Sequence, residues 1–260
     1  MLSTAFVPGA PVWIDLGSRD VAASAGFYRR LFGWAFRPAG PDAGGYGFFE
    51  SAGRVVAAAG PLRDGGDPAW TVYFHTEDAD ATARVVEAAG GEVRAEPAEV
   101  FTAGRAATFA DPTGAAFAVW EQGERLGLDV VDAPGALCWT ELYSTDAVAA
   151  RDFYAAVFGW EFTDVPMPGT TYCVAAPAGA GDAGAHAGLM TLLPENLAAG
   201  SGSEWHPYVA VEDCDAVWAE AVAGGAEELF GPMDVPGNGR LAMFRDPQGA
   251  VCAIRTGQRA

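Results

Sequence analysis

Cysteine is scarce. The 260 residues hold four, at Cys138, Cys173, Cys214 and Cys252, with no CxxC pair among them. A secreted scaffold built on disulfides is therefore excluded at this size and spacing. Thiols set in apolar, strand-like runs behave as small hydrophobes, so these are expected to be buried and free. Basic residues are also few: 15 Lys and Arg face 34 Asp and Glu, for a net charge of -19. Such a surface repels nucleic-acid backbones and anionic membranes. It serves solubility, and it favours a cationic partner over an anionic one. No apolar run approaches the roughly 18 residues needed to span a bilayer. The N-terminus lacks the basic region and apolar stretch of a signal peptide, and the expected location is the cytoplasm. Half of the residues are hydrophobic and only 19% are charged, which points to a packed core and not to disorder.

The chain repeats itself. A shift of 126 residues pairs Trp13 with Trp139, Leu16 with Leu142 and Asp20 with Asp146. The same shift pairs Phe27-Tyr28 with Phe153-Tyr154, Phe32-Gly33-Trp34 with Phe158-Gly159-Trp160, and Tyr46 with Tyr172. Further on the shift becomes 135, pairing Trp70 with Trp205, Tyr73 with Tyr208, Glu77-Asp78 with Glu212-Asp213, Arg105 with Arg240, and Asp111-Pro112 with Asp246-Pro247. The added residues fall in a Gly/Ala-rich stretch between Tyr172 and Trp205, which reads as a longer loop. Two related domains follow, 1–124 and 136–260, joined by a linker over 125–135.

Each domain divides again. In the first, a strand over Val12 to Leu16 leads through Ser18 or Asp20, both suited to helix capping, into a helix that stops at Gly33. Val21, Ala25, Tyr28 and Phe32 share the helical period and are expected to form its buried face. Strands follow over Trp34 to Arg37, Tyr46 to Ser51 and Val55 to Ala59. The pattern restarts with a strand over Thr71 to Thr76 and a helix through Ala89. Strands near Glu92 to Arg94, Ala106 to Ala110 and Ala116 to Trp120 complete it. Asp111-Pro112-Thr113-Gly114 reads as a hairpin turn, in which Pro fixes one φ and Gly supplies the permissive one. The unit is βαβββ, and it occurs four times.

A βαβββ unit used twice per domain, Phe-Tyr followed by Phe-Gly-Trp at the first helix end, and a closing Asp-Pro-x-Gly hairpin together resemble the vicinal-oxygen-chelate superfamily. That is the architecture of glyoxalase I, bleomycin-resistance proteins and extradiol dioxygenases. The resemblance spans nearly the whole chain. The stretch Trp-Thr-Glu-Leu-Tyr-Ser-Thr-Asp over 139–146 is similar to tandem actinobacterial members. The resemblance implies an α+β fold with open, curved mixed sheets, two domains of this type in tandem. It also implies where metal ligands would stand in metal-dependent members. The first-strand ligand, seven residues before the helix-opening Asp, falls on Trp13 and Trp139. The closing-strand ligand, seven residues after the Asp of Asp-Pro-x-Gly, falls on Ala118 and Ala253. Indole and methyl groups cannot ligate a divalent cation. Among the even modules' first strands, Thr71 and His206, only His206 is a plausible ligand. No metal or other cofactor is expected. The one alternative is a set of His206, His186 and Glu141 in the second domain.

Strand alternation gives the remaining candidates. Trp13 shares a face with Asp15, Trp139 with Glu141, Thr71 with Tyr73, and His206 with Tyr208. On the closing strands Ala118 goes with Trp120, and Ala253 with Arg255. Glu141 and Asp15 are the candidate general bases, since a carboxylate in an apolar strand is costly unless paired and titrates high when buried. Tyr208 and Tyr73 are their candidate acid or oxyanion partners. Trp13, Trp139, Trp70, Trp205, Trp120, Arg255 and His206 are candidates for holding a ligand. Each also has a structural reading: Trp13 and Trp139 as plugs of the former metal site, the tyrosines as packing residues. Arg105 and Arg240 read as strand-end ion pairs.

Four functions remain open on the sequence. The chain could bind a hydrophobic or aromatic small molecule, a cationic one suiting the acidic shell, and so sequester or process a natural product. It could be a metal-independent isomerase, cyclase or oxygenase-like enzyme using a cavity carboxylate. It could be a metal-dependent lyase or dioxygenase active only in its second domain. It could also be a scaffold with side-chain-filled cavities. Monomer and homodimer are both compatible with two domains in one chain.

Overall fold

A computed structural model describes residues 2–62, 66–167, 170–236 and 238–256. Four βαβββ modules follow one another. The first comprises β1 (Pro11–Ser18), α1 (Val21–Phe32), β2 (Ala35–Pro38), β3 (Gly47–Ser51) and β4 (Arg54–Pro61). The second comprises β5 (Ala69–Thr76), α2 (Ala79–Ala88), β6 (Glu92–Val100), β7 (Gly104–Ala110) and β8 (Ala116–Gln122). The third has β9 (Leu137–Ser144), α3 (Ala147–Phe158), β10 (Trp160–Met167), β11 (Thr170–Pro177) and β12 (Ala187–Thr191). A short helix, α4 (Pro194–Ala198), precedes the fourth module: β13 (Glu204–Ala210), α5 (Cys214–Ala223), β14 (Glu227–Val235), β15 (Gly239–Arg245) and β16 (Val251–Arg255).

The strands form two mixed sheets of eight, ordered β2-β3-β4-β1-β5-β8-β7-β6 and β10-β11-β12-β9-β13-β16-β15-β14. Within each module the first and last strands run parallel, as in β1 with β4 and β13 with β16, and the other pairs are antiparallel. The outermost strands β6, β10 and β14 contain Pro97, Pro166 and Pro232. Proline lacks the N–H that a central ladder needs, so it is tolerated at an edge and discourages pairing with another chain. β6 extends to Val100, past the expected end near Arg94. Register shifts on both sides of Ala95 carry the strand through Pro97.

The helix starts are alike for one reason. Asp20, Asp78, Asp146 and Asp213 each accept a backbone N–H from the first helical turn, at 2.9, 2.8, 3.0 and 3.0 Å. Gly33 closes α1 in the left-handed region at φ 70°, where a side chain would be strained. The buried face of α1 is Ser24, Phe27, Tyr28 and Leu31, not the expected Val21, Ala25, Tyr28 and Phe32. The period is the same but the stripe is rotated, because Phe27 packs edge-on against Phe244, 217 positions away in the other half of the sequence.

The sheets follow the sequence halves, whereas the compact units do not. One unit gathers Met1–Trp13, Val72–Gly127 and Trp139–His206; the other gathers Ile14–Thr71, Leu128–Cys138 and Pro207–Ala260. Each unit thus takes one module from each half. The first has an aromatic core of Phe74, Phe117, Tyr154, Phe158, Trp160 and Trp205. The second is built around Tyr28, Trp34, Phe49 and Trp70. The segment after Gly127 belongs to the second unit: Leu128 and Val130 are buried, and the Asp129 carboxylate accepts the Val55 backbone N–H at 2.7 Å. Cys138, Cys173, Cys214 and Cys252 are all buried and free, and burial pushes the Cys138 thiol up to about 12. No helix among the described residues is long and apolar enough to cross a membrane.

Candidate functional site

A polar arrangement on one strand face lies on β9 from Trp139 onward, β11 and β12, within the first unit. Trp139, Glu141 and Tyr143 alternate with Thr140 and Leu142, both fully buried, so the two sets leave β9 on opposite faces. The half-buried Trp139 donates its indole N–H to the Tyr172 hydroxyl at 2.9 Å. Tyr172 in turn donates to Glu141 Oε1 at 2.5 Å. The Glu141 carboxylate is only 7% exposed. Burial, and then the charge of Glu141, push the Tyr172 phenol well above its ordinary value, so it stays protonated as the donor. Gly188 on β12 stands opposite Glu141 in the ladder, and a methyl group there would overlap the Tyr172 hydroxyl. Glycine at 188 is therefore what lets the tyrosine ring lie over the strand. Next to this chain, the His206 ring meets Tyr143 edge-on at 5.0 Å and is buried.

The first half carries a looser version in the second unit. Tyr46 donates to Asp15 Oδ2 at 3.2 Å, and Asp15 stands opposite Ala58. The tyrosine lies 31 positions after the carboxylate in both copies. Trp13, buried in the first unit, sits beneath the Arg125 guanidinium at 5.8 Å from its ring centre. Trp120 holds that arginine's segment by donating to the Arg125 carbonyl at 2.9 Å. Tyr73 stands opposite Ala118, and Tyr208 opposite Ala253, both alanines being fully buried. Arg255, the last residue of β16, is half-buried.

Several expected residues serve elsewhere. Trp70 and Trp205 lie in the aromatic cores, where their indoles donate to Tyr28 at 3.0 Å and to Tyr154 at 2.7 Å. Their one-residue offset from Thr71 and His206 turns them to the opposite strand face, into the cores. His186 is not beside Glu141: its ring packs edge-on against Trp160 at 5.0 Å, and Trp160 stacks on Tyr154. The set of His206, His186 and Glu141 is thus not assembled. Among the described residues no group of three His, Cys, Asp or Glu is placed to hold a metal ion. Arg105 and Arg240 make the expected ion pairs, with Asp80 and Asp215, each at 2.7 Å. Tyr172 and Tyr46 were missed as site residues, although the repeat pairs them; the signal was the equal spacing from Asp15 and Glu141.

Burial pushes His186 down to about 4, against a smaller opposing hydrogen bond to the Gly184 backbone. An unfolded histidine titrates near 6.5, so the folded state binds fewer protons between those values and stability falls as pH is lowered through them. At pH 5 the loss attributable to this residue is expected to be about 2 kcal/mol. Urea unfolding of the wild type and His186→Phe at pH 7.5 and pH 5 checks it. An equal pH dependence in both proteins would remove His186 as the cause.

The geometry and the comparisons agree on class. The model of the Glyoxalase/Bleomycin resistance protein/Dioxygenase superfamily matches residues 10–119 and 136–254. The chain belongs to this superfamily, as a tandem member. It is 45% identical to the anthracycline biosynthesis protein DnrV of Streptomyces peucetius, over 99% of this chain and 98% of that protein. It is 42% identical to the anthracycline biosynthesis protein DauV of Streptomyces sp. (strain C5), over 96% of this chain and 94% of that one. Among solved structures, the Mn(II)-bound glyoxalase from Novosphingobium aromaticivorans superposes with a TM-score of 0.66 at 19% identity, covering 96% of this chain and 82% of that one, a likeness of fold.

Proposed function

We propose that this chain binds an aromatic polycyclic natural product on the Trp139–Tyr172–Glu141 face, without a metal, in the biosynthesis of such a compound. The observation that carries the reading is the hydrogen-bonded chain itself. Trp139 stands where the superfamily's first-strand metal ligand would be, and it spends its indole N–H on Tyr172, which serves Glu141. The donor set does not suit a divalent cation. What the face offers is a half-buried indole for stacking, the edge of Tyr143, and a buried carboxylate able to accept from a ligand hydroxyl. The two Streptomyces relatives with anthracycline biosynthesis in their names support the natural-product context.

A second reading is favoured by the Tyr172–Glu141 hydrogen bond at 2.5 Å. A buried carboxylate with a protonated phenol beside it is equipped to take a proton from a carbonyl substrate's acidic C–H or O–H, the phenol then steadying the developing charge. Asp15 and Tyr46 would be the first-half counterpart.

Tryptophan quenching and calorimetry with an anthraquinone-type aglycone test both. The expected dissociation constant is about micromolar for the wild type, with about a tenfold loss in Trp139→Ala. Affinity above about 1 mM for every such compound would end the binding reading. Glu141→Gln separates the two: it is expected to leave aglycone affinity within about threefold while abolishing any turnover. Turnover that survives in the folded variant would remove the acid–base reading.

A further inference from the structure

Trp13 and Trp139 are repeat equivalents, and both belong to the first unit, yet their rings are treated differently. Trp139 is half-buried, whereas Trp13 is only 7% exposed. What lies over Trp13 is a cation of the chain itself. The central carbon of the Arg125 guanidinium stands 5.8 Å from the ring centre, within reach of a cation–π contact. Arginine suits that place because its planar group can lie on an aromatic face.

Arg125 belongs to a strap that follows β8, and the strap is bonded along its length. Gly123 N–H and Arg125 N–H both donate to the Ala103 carbonyl at 3.0 Å, and Glu124 N–H donates to the Thr102 carbonyl at 3.1 Å. The Trp120 indole donates to the Arg125 carbonyl at 2.9 Å, and the guanidinium itself turns back to the Gly127 carbonyl at 3.3 Å. At Gly127 the strap lies close against Phe6 and against Val12, the neighbour of Trp13 on β1, with which a side chain there would collide. Backbone bonds therefore fix where the strap runs, and the arginine side chain is the part laid over the indole.

We propose that Arg125 closes the first half's indole platform. It occupies the Trp13 face that a planar aromatic ligand would otherwise take, so the chain carries one open stacking site, at Trp139, and one latched site, at Trp13. The inference rests on the reading of Trp139 as a stacking surface, and adds that the repeat is not used twice. A tethered occupant competes at a high effective concentration, which puts a free ligand at a large disadvantage. Shortening the side chain removes the occupant while the bonded strap stays in place.

The test is a titration of the full chain, labelled with 5-fluorotryptophan, with 1,4-dihydroxyanthraquinone, followed by ¹⁹F resonance and by calorimetry. The Trp13 and Trp139 signals are assigned by their loss in Trp13→Phe and Trp139→Phe. In the wild type the Trp139 signal is expected to move and the Trp13 signal to stay, with about one equivalent bound. In Arg125→Ala both are expected to move, with about two equivalents bound, the second within about tenfold of the first in affinity. A Trp13 signal that moves together with Trp139 in the wild type would overturn the proposal without recourse to any variant at Arg125. So would an Arg125→Ala protein in which Trp139 responds and Trp13 does not. Should neither signal respond in either protein, the stacking reading of Trp139 fails, and the latch is judged on the ligand-free proteins. The shift of the Trp13 signal between H₂O and D₂O is then expected to be at least about threefold larger in Arg125→Ala than in the wild type. An equal shift would show that Arg125 does not cover the ring, and would end the proposal.

Discussion

Asp246→Ala is expected to lower the unfolding free energy by about 4 kcal/mol, the summed loss of several bonds to one buried charged group. Asp246 is 4% exposed and has a divided task. Its Oδ1 accepts the backbone N–H groups of Gln248, Gly249 and Ala250 at 2.8, 2.8 and 3.0 Å, which shapes the hairpin between β15 and β16. Its Oδ2 accepts from the Tyr28 hydroxyl at 2.9 Å, and Tyr28 accepts from Trp70. Alanine would strand all of these donors, and the phenol is fully buried. Burial, followed by the Asp246 charge, holds the Tyr28 phenol well above its ordinary value, so it remains a donor at any working pH. Asp246→Asn should cost about 1–2 kcal/mol, because the amide oxygen can still accept the turn N–H groups while the tyrosine loses its acceptor. The first unit repeats the turn half of the device. Asp111 Oδ1 accepts from Thr113 and Ala115, and Tyr154, which accepts from Trp205, is held high by burial and then by the Asp111 charge. Urea denaturation of the single variants checks the magnitudes. An Asp246→Ala protein within about 1 kcal/mol of wild type would mean that the network does not hold the fold.

Gly188→Ala is expected to be destabilising by about 1–3 kcal/mol and to weaken aglycone binding at least tenfold. Exchanging glycine for alanine ordinarily stabilises through the unfolded chain. The sign reverses at Gly188 because the added methyl would overlap the Tyr172 hydroxyl and drive it off Glu141. Gly26 is the control. It sits exposed within α1 with nothing within 4 Å of an added Cβ, so Gly26→Ala should raise stability by about 1 kcal/mol. Denaturation midpoints of both variants, together with near-ultraviolet dichroism of the Trp139–Tyr172 pair, distinguish displacement from general weakening. A Gly188→Ala protein as stable as the Gly26→Ala one, with the dichroism unchanged, would contradict the placement of Tyr172.

The repeat made most of the architecture readable. Periods, caps and hairpin turns are local: of the two cap candidates Asp20 is the one that caps α1, and Asp78, Asp146 and Asp213 cap the other modules' helices in the same way. Strand alternation paired Trp13 with Asp15, and the residues between and after them, Ile14 and Leu16, are buried, since side-chain parity is a property of the strand alone. Alternation also contained the answer for Trp70 and Trp205, but their aromatic size drew them into the ligand set. Their true partners, Tyr28 and Tyr154, sit on helices 42 and 51 positions away. The rotated face of α1 has the same origin, because the ring that selects Phe27 comes from β15.

What the chain's own residues determined is the unit, its fourfold use, and the indole and methyl side chains at Trp13, Trp139, Ala118 and Ala253, because periodicity and side-chain type need no partner to be read. Only the tertiary structure decided which modules share a core, the outer two in one compact unit and the inner two in the other. It alone set Tyr172 on Glu141 and turned His186 towards Trp160. Those outcomes depend on contacts between segments far apart in sequence, where burial and hydrogen-bond satisfaction, not local propensity, select the partner.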